Sequence, residues 1–304
     1  MRDGALIIKI FLIAAILFSP VKAFSAGAVR YMNILSVYSD EKGVGLKNPE
    51  GVACNEESRI IVADSANHRL LQYKLEDRTL TAGAEIVVPE VTYPVLVKFN
   101  SKGEIFALDG RQRRIARLSP EGMFIGYLEP VGLPSPASYV LKSFEIDKDD
   151  NIYILDIFSG RVIVLNPDGT YRMHINFPVG YGFISDVSVD FKGNILLIDS
   201  INARVYSAAK GSEGFSPLTE SMKEQMRFPT NITTDNRGRI YLMDRNGSRI
   251  IVLGQDGSFL GQMSDLGWKE GLLNYPSQLC VNGKGEVFVA DTNNHRVQIF
   301  KLVK

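Results

Sequence analysis

Val289-Ala290-Asp291-Thr292-Asn293-Asn294-His295-Arg296-Val297-Gln298-Ile299-Phe300, near the end of a 304-residue chain, decides how the rest is read. A near copy, Val62-Ala63-Asp64-Ser65-Ala66-Asn67-His68-Arg69-Leu70-Leu71-Gln72-Tyr73, stands far upstream. Four weaker copies lie between them and keep one spacing, an aspartate followed five residues later by an arginine. The pairs are Asp64/Arg69, Asp109/Arg114, Asp156/Arg161, Asp199/Arg204, Asp244/Arg249 and Asp291/Arg296, with successive aspartates 45, 47, 43, 45 and 47 residues apart. A fixed period of that size marks a repeat architecture.

Each repeat holds short segments rich in Val, Ile, Leu, Tyr and Phe, bounded by Gly, Asn, Asp or Pro, which is how antiparallel strands are written. Repeat three shows the pattern: Phe144 to Asp147, Asn151 to Asp156, Arg161 to Leu165, then Asn166-Pro167-Asp168-Gly169 turning into Thr170 to Phe177. No repeat sustains a 3.6-residue apolar period, so helical solenoids are excluded. Thr219 to Arg227, between repeats four and five, is the one stretch expected to make a helical turn or two. The sixth repeat stops after three strands, while Val29 to Tyr38 forms a strand with no repeat of its own. If that strand completes blade six, the chain is an all-β, six-bladed β-propeller of four-stranded antiparallel blades, closed by its own N-terminal strand.

Residues 1–23 read as an export signal, and 24–304 as a single propeller domain. Arg2 and Lys9 precede nine uninterrupted apolar residues, Ile10 to Phe18, and Val21-Lys22-Ala23 offers small residues at a cleavage point. The apolar run is shorter than the roughly 20 residues of a spanning helix, so no stable membrane span is expected after cleavage. A periplasmic or extracellular location follows. Composition is ordinary for a globular chain, 45% hydrophobic and 22% charged, with Lys plus Arg equal to Asp plus Glu at 34 each. Removing the first 23 residues takes away Arg2, Lys9 and Lys22 against Asp3, leaving 31 basic and 33 acidic side chains. That balance argues against a nucleic-acid partner. The run Arg111-Gln112-Arg113-Arg114 reads as a solvated hairpin tip.

The repeat resembles the NHL family at Pro49-Glu50-Gly51-Val52-Ala53, Val62-Ala63-Asp64, Asn67-His68-Arg69 and Asn294-His295-Arg296. The resemblance covers residues 29 to 304 and is strong in repeats one and six. In the others the Asn-His pair gives way to Gln112-Arg113, Ser159-Gly160, Asn202-Ala203 and Gly247-Ser248. It implies a six-bladed propeller and, for family members of known activity, either RNA binding or a lyase with a histidine-held metal. The first would want a basic face. The second would want several histidines, whereas His68 and His295 are motif residues and His174 falls in an outer strand.

Six aspartate–arginine pairs at six equivalent places read as a blade-building device, since a catalytic group is needed once. Cys54 and Cys280 fall in the first strands of repeats one and six, neighbours in a closed ring, and export makes one disulfide feasible. They sit one position out of register, which on a single strand means opposite faces, so two separate buried side chains are the expectation. Aligning the first strands on Val52, Val97, Phe144, Val187, Ile232 and Leu279 puts Glu50, Asp186, Asn231 and Gln278 at the channel mouth as ligand or metal candidates. Such an oxygen-rich set suits calcium or a polar small molecule, and is similar in kind to that of lactone-hydrolysing paraoxonase and gluconolactonase propellers. One rung deeper, Lys98 and Glu145 are expected to pair. No nucleophile elbow, phosphate-binding glycine loop or His-Glu-x-x-His occurs, so no catalytic residue is assigned. The expectation is an exported, monomeric binding scaffold for a protein, peptide or envelope polysaccharide that needs no cofactor, with a calcium-dependent hydrolase as the alternative.

Overall fold

A computed structural model describes residues 29–303; the export signal and its cleavage point lie outside the described residues. Six four-stranded antiparallel sheets follow one another along the chain. Blade one comprises Gly51–Cys54, Arg59–Asp64, Arg69–Glu76 and Thr79–Ile86, and blades two to five repeat the plan. Blade six takes Leu279–Val281, Glu286–Asp291 and Arg296–Val303 from the C-terminus and Arg30–Val37 from the N-terminus. The N-terminal strand runs antiparallel to the last strand, from Arg30 opposite Val303 to Val37 opposite Val297, with a bulge between Asn33 and Leu35. The ring closes as the unmatched strand required.

The second strand of each blade is buried on both faces, because each blade is sandwiched between two others. Ile152–Asp156, Ile195–Asp199 and Ile240–Asp244 are buried at every position. Their sequences therefore read as unbroken apolar runs, the pattern of doubly covered strands. Side-chain parity divides each run between two cores. In blade one, Ile60 and Val62 pack with Phe288, Ala290, Val297 and Ile299 of blade six, while Ile61 and Ala63 pack with Val97, Ile105 and Ala107 of blade two. Equivalent clusters fill the other gaps, each large side chain contributing about 1.5–3 kcal/mol on burial.

Two turn devices set the register. At the first hairpin of every blade an Asn or Asp side chain accepts the backbone N–H groups two and four residues on: Asn55, Asn100, Asp147, Asp190, Asp235 and Asn282, at 2.9–3.1 Å. At the second hairpin the residue before the repeat's arginine adopts a left-handed conformation in all six blades: His68, Arg113, Gly160, Ala203, Ser248 and His295, with φ between 47° and 63°. The backbone requirement is fixed while the side chain varies, which is how the Asn-His signature decays without loss of fold. Thr219 to Arg227 makes no helix. It forms one turn, Met226 N–H to Met222 C=O at 2.9 Å, which seats Met226 between blades four and five. Blade four's outer strand is correspondingly short, Ser216–Pro217.

Candidate functional site

The repeated aspartates are buried, and each pairs across its hairpin with the matching arginine backbone. Each carboxylate also reaches back to the loop entering its own blade, accepting N–H bonds from Lys47, Thr92, Val140, Gly182, Arg227 and Asn274 at 2.5–3.0 Å. The aspartate is thus the staple between two loops on one face of the disc. The arginines divide. Arg69, Arg161 and Arg296 are buried and hold their aspartates at 2.7–3.0 Å. Arg114, Arg204 and Arg249 instead turn outward to Glu129, Glu220 and Asp265. The side-chain ion pair between repeated aspartate and arginine therefore forms in three blades; Arg69 keeps Asp64 even though it also reaches Glu85, 16 positions downstream, at 3.5 Å. His68 Nδ1 lies 2.6 Å from the Thr92 carbonyl and His295 Nδ1 accepts Asn48 N–H at 3.1 Å, both tying one blade to the next. His174 is half-buried and bonded to Tyr171.

Cys54 and Cys280 are joined, with Cα atoms 6.0 Å apart, across the gap between blades one and six. The register argument that kept them apart holds within one sheet. Between neighbouring blades the facing surfaces are opposite faces of equivalent sheets, so an odd offset is what brings two side chains together. Val52, two residues before Cys54, and Cys280 share the cluster between these blades, whereas Leu279 faces blade five. The two cysteines are only partly buried and line the far end of the channel.

Glu50, Asp186, Asn231 and Gln278 all line one mouth of the channel, a cavity of about 290 Å³. Three of them are latches between blades. Asp186 accepts Ile232 N–H at 2.9 Å, Asn231 Nδ2 at 2.5 Å and the Ser143 hydroxyl. Asn231 Oδ1 accepts Leu279 N–H at 3.1 Å, and Gln278 Oε1 accepts Val52 N–H at 3.0 Å. Side chains on that rung therefore run Ser143 to blade four, Asp186 to blade five, Asn231 to blade six and Gln278 to blade one. Burial pushes the Asp186 carboxyl above its usual range, against the opposing pull of Lys98 and its hydrogen-bond donors. Glu50 is half-buried and accepts the Tyr93 hydroxyl at 2.8 Å. One rung deeper, Lys98 and Glu145 pair at 2.7 Å as expected.

Calcium fits this set poorly. Asp186 is already surrounded by donors, Asn231 and Gln278 present their oxygens to backbone N–H groups, and cations fill the mouth. Lys142, Arg113 and Arg245 line it. Burial lowers the Lys142 pKa; Asp186 and Glu50 oppose that fall, and Arg113 and Arg245 add to it. Among the described residues, none of these three makes an ion pair. Nor does any group of three His, Cys, Asp or Glu among them come together as metal ligands. The sequence reading missed the three cations. Lys142 was visible as the residue before the Ser143 rung, but Arg113 and Arg245 come from hairpin tips that only the closed ring brings inward.

The opposite mouth, about 320 Å³, gathers Glu56, Glu145, Asp147, Asp190 and Asp235 against Lys98 and Lys148. The basic mouth opens on the face that carries the second hairpins and the loops between blades. Phe158 and Ile201 on those hairpins, and Val179, Leu266 and Trp268 on those loops, are exposed, Trp268 to 78%.

Together these features define a six-bladed β-propeller whose channel has one mouth lined by three cations. The NHL repeat profile matches residues 273–300. NHL repeat-containing protein 3 of Mus musculus is 30% identical over 94 residues, 30% of this chain and 25% of that protein. B-box type zinc finger protein ncl-1 of Caenorhabditis elegans is 49% identical over 39 residues, 13% of this chain and 5% of that protein. The matched segments thus span a quarter or less of these relatives. The chain carries an NHL repeat, matched at residues 273–300, within a six-bladed β-propeller. Among solved structures it superposes on a gluconolactonase from Xanthomonas campestris with a TM-score of 0.66 at 13% identity, covering 91% of each chain. A virginiamycin B lyase from Staphylococcus aureus, with quinupristin, gives 0.63 at 13% identity, covering 90% of this chain and 100% of that one. Identities this low speak for the shared fold alone.

Proposed function

We propose that this protein is an exported scaffold that binds a protein partner on the face around its basic mouth. The observation that carries the reading is the exposure of large apolar side chains on that face, Phe158, Val179, Ile201, Leu266 and Trp268, on loops held by a rigid frame. Aliphatic and aromatic side chains mixed in this way suit a protein surface better than a polysaccharide, which would favour flat aromatic platforms. Residues 1–23 supply the export reading, tested by whether a fusion of them to a reporter is processed and leaves the cytoplasm.

The decisive experiment compares the wild type with a Phe158→Ser, Ile201→Ser, Trp268→Ser variant as bait for envelope extracts of the source cell, with equal melting temperatures as the folding control. A defined protein should be retained by the wild type and lost by the variant. Identical capture by both would sink the proposal. The alternative, a calcium-dependent lactone hydrolase at the same mouth, is supported by the residue types of Glu50 and Asp186. The engagement of Asp186, Asn231 and Gln278 between blades and the three cations beside them count against it. A melting temperature that rises on adding calcium, together with lactone turnover, would reverse the order of the two.

A further inference from the structure

We infer that the basic mouth is an anion site that takes a carboxylate side chain of an acidic peptide segment, inserted by the docked protein partner. The inference rests on the binding-scaffold reading and names the chemistry at its centre. Arg113 comes from the second hairpin of blade two, Arg245 from that of blade five, and Lys142 from the first strand of blade three; all three line one cavity of about 290 Å³. Like charges gathered in a concave site raise the local potential and attract a counter-charge.

The carboxylates nearby do not neutralise them. Asp186 is buried beneath the mouth and held by Ser143, Asn231 and Ile232 N–H. Asp109 is buried and faces its own turn, accepting N–H bonds from Thr92, Tyr93, Arg111 and Gln112. Glu50 is left, held by the Tyr93 hydroxyl, against three cations. The other end of the channel has the opposite sign, five carboxylates against two lysines, so an anion has one end to enter. Guanidinium groups fork onto carboxylates, and a lysine adds a point charge. The cavity's size admits one or two side chains, and the apolar rim around it suits the protein that carries them.

The test uses fluorescein-labelled hexaglutamate, with hexaglutamine as its uncharged match and trigalacturonate as the acidic-sugar arm. Binding to residues 24–304 is followed by anisotropy for the wild type and for Arg113→Gln, Lys142→Gln, Arg245→Gln. Hexaglutamate should bind at least about tenfold tighter than hexaglutamine. That advantage should shrink with added salt and vanish in the triple variant, whose melting temperature stays within a few degrees of wild type. A second variant, Lys148→Gln at the acidic end, should leave binding unchanged. Equal affinity for hexaglutamine, tighter binding of trigalacturonate, or undiminished binding by the triple variant overturns the assignment. If the Phe158, Ile201 and Trp268 variant loses its partner while hexaglutamate fails to bind, the anion site falls and the scaffold stands.

Discussion

Asp186 is a buried carboxylate whose three donors come from two other blades, so it pulls the ring together while resisting its own charge. Burial raises its pKa, and a carboxyl whose folded pKa exceeds the unfolded value contributes most when both states are protonated, losing stability as pH rises through the folded pKa. Asp186→Asn should therefore match the wild type near pH 4 and be at least as stable at pH 7, by urea melts at both pH values. Asp186→Ala strands the donors of Asn231 and Ile232 and should cost about 2–4 kcal/mol. Asp109 and Asp199 run the other way: burial would raise their pKa values, but backbone N–H bonds prevail and hold them low, so their contribution is present above about pH 4 and lost on acidification. The divided arginines make a second contrast. Arg161→Ala leaves buried Asp156 without its counter-charge and should cost about 3 kcal/mol. Arg114→Ala, on an exposed pair with Glu129, should cost less than about 1 kcal/mol. Equal losses in the two variants would refute the division.

Among the elements, the N-terminal strand has the clearest separable role. Its Ile34, Leu35 and Val37 pack into the core between blades six and one, its Tyr31 into the core between five and six, and the Tyr31 hydroxyl meets that of Tyr241 at 2.9 Å. Removing residues 1–38 strips the last strand, Arg296–Val303, of its outer partner and leaves an open edge. The shortened chain should melt at a lower temperature and self-associate on size exclusion. A synthetic peptide of residues 29–38 added in trans should restore monomer and melting temperature. No response to the peptide would mean that the strand does not close the ring in solution.

Across the whole molecule, the Cys54–Cys280 bridge links chain positions 226 residues apart at the junction where the ring closes. Replacing both cysteines with serine should lower unfolding free energy by about 2–5 kcal/mol, read from denaturant midpoints, and reduction of the wild type should reproduce most of the shift. An unchanged midpoint would show that the strand closure alone holds the ends. The sequence by itself determined the strand content, the six repeats, the need for an N-terminal strand in blade six and the structural character of the six repeated aspartates, because period and side-chain alternation are local properties of a chain. The tertiary structure alone decided which arginines stay with their aspartates, that two cysteines out of register meet, that Asp186, Asn231 and Gln278 fasten neighbouring blades, and that Arg113, Lys142 and Arg245 share one mouth. Each depends on the angle between neighbouring sheets, which turns positions far apart in sequence toward one point and which no single repeat encodes.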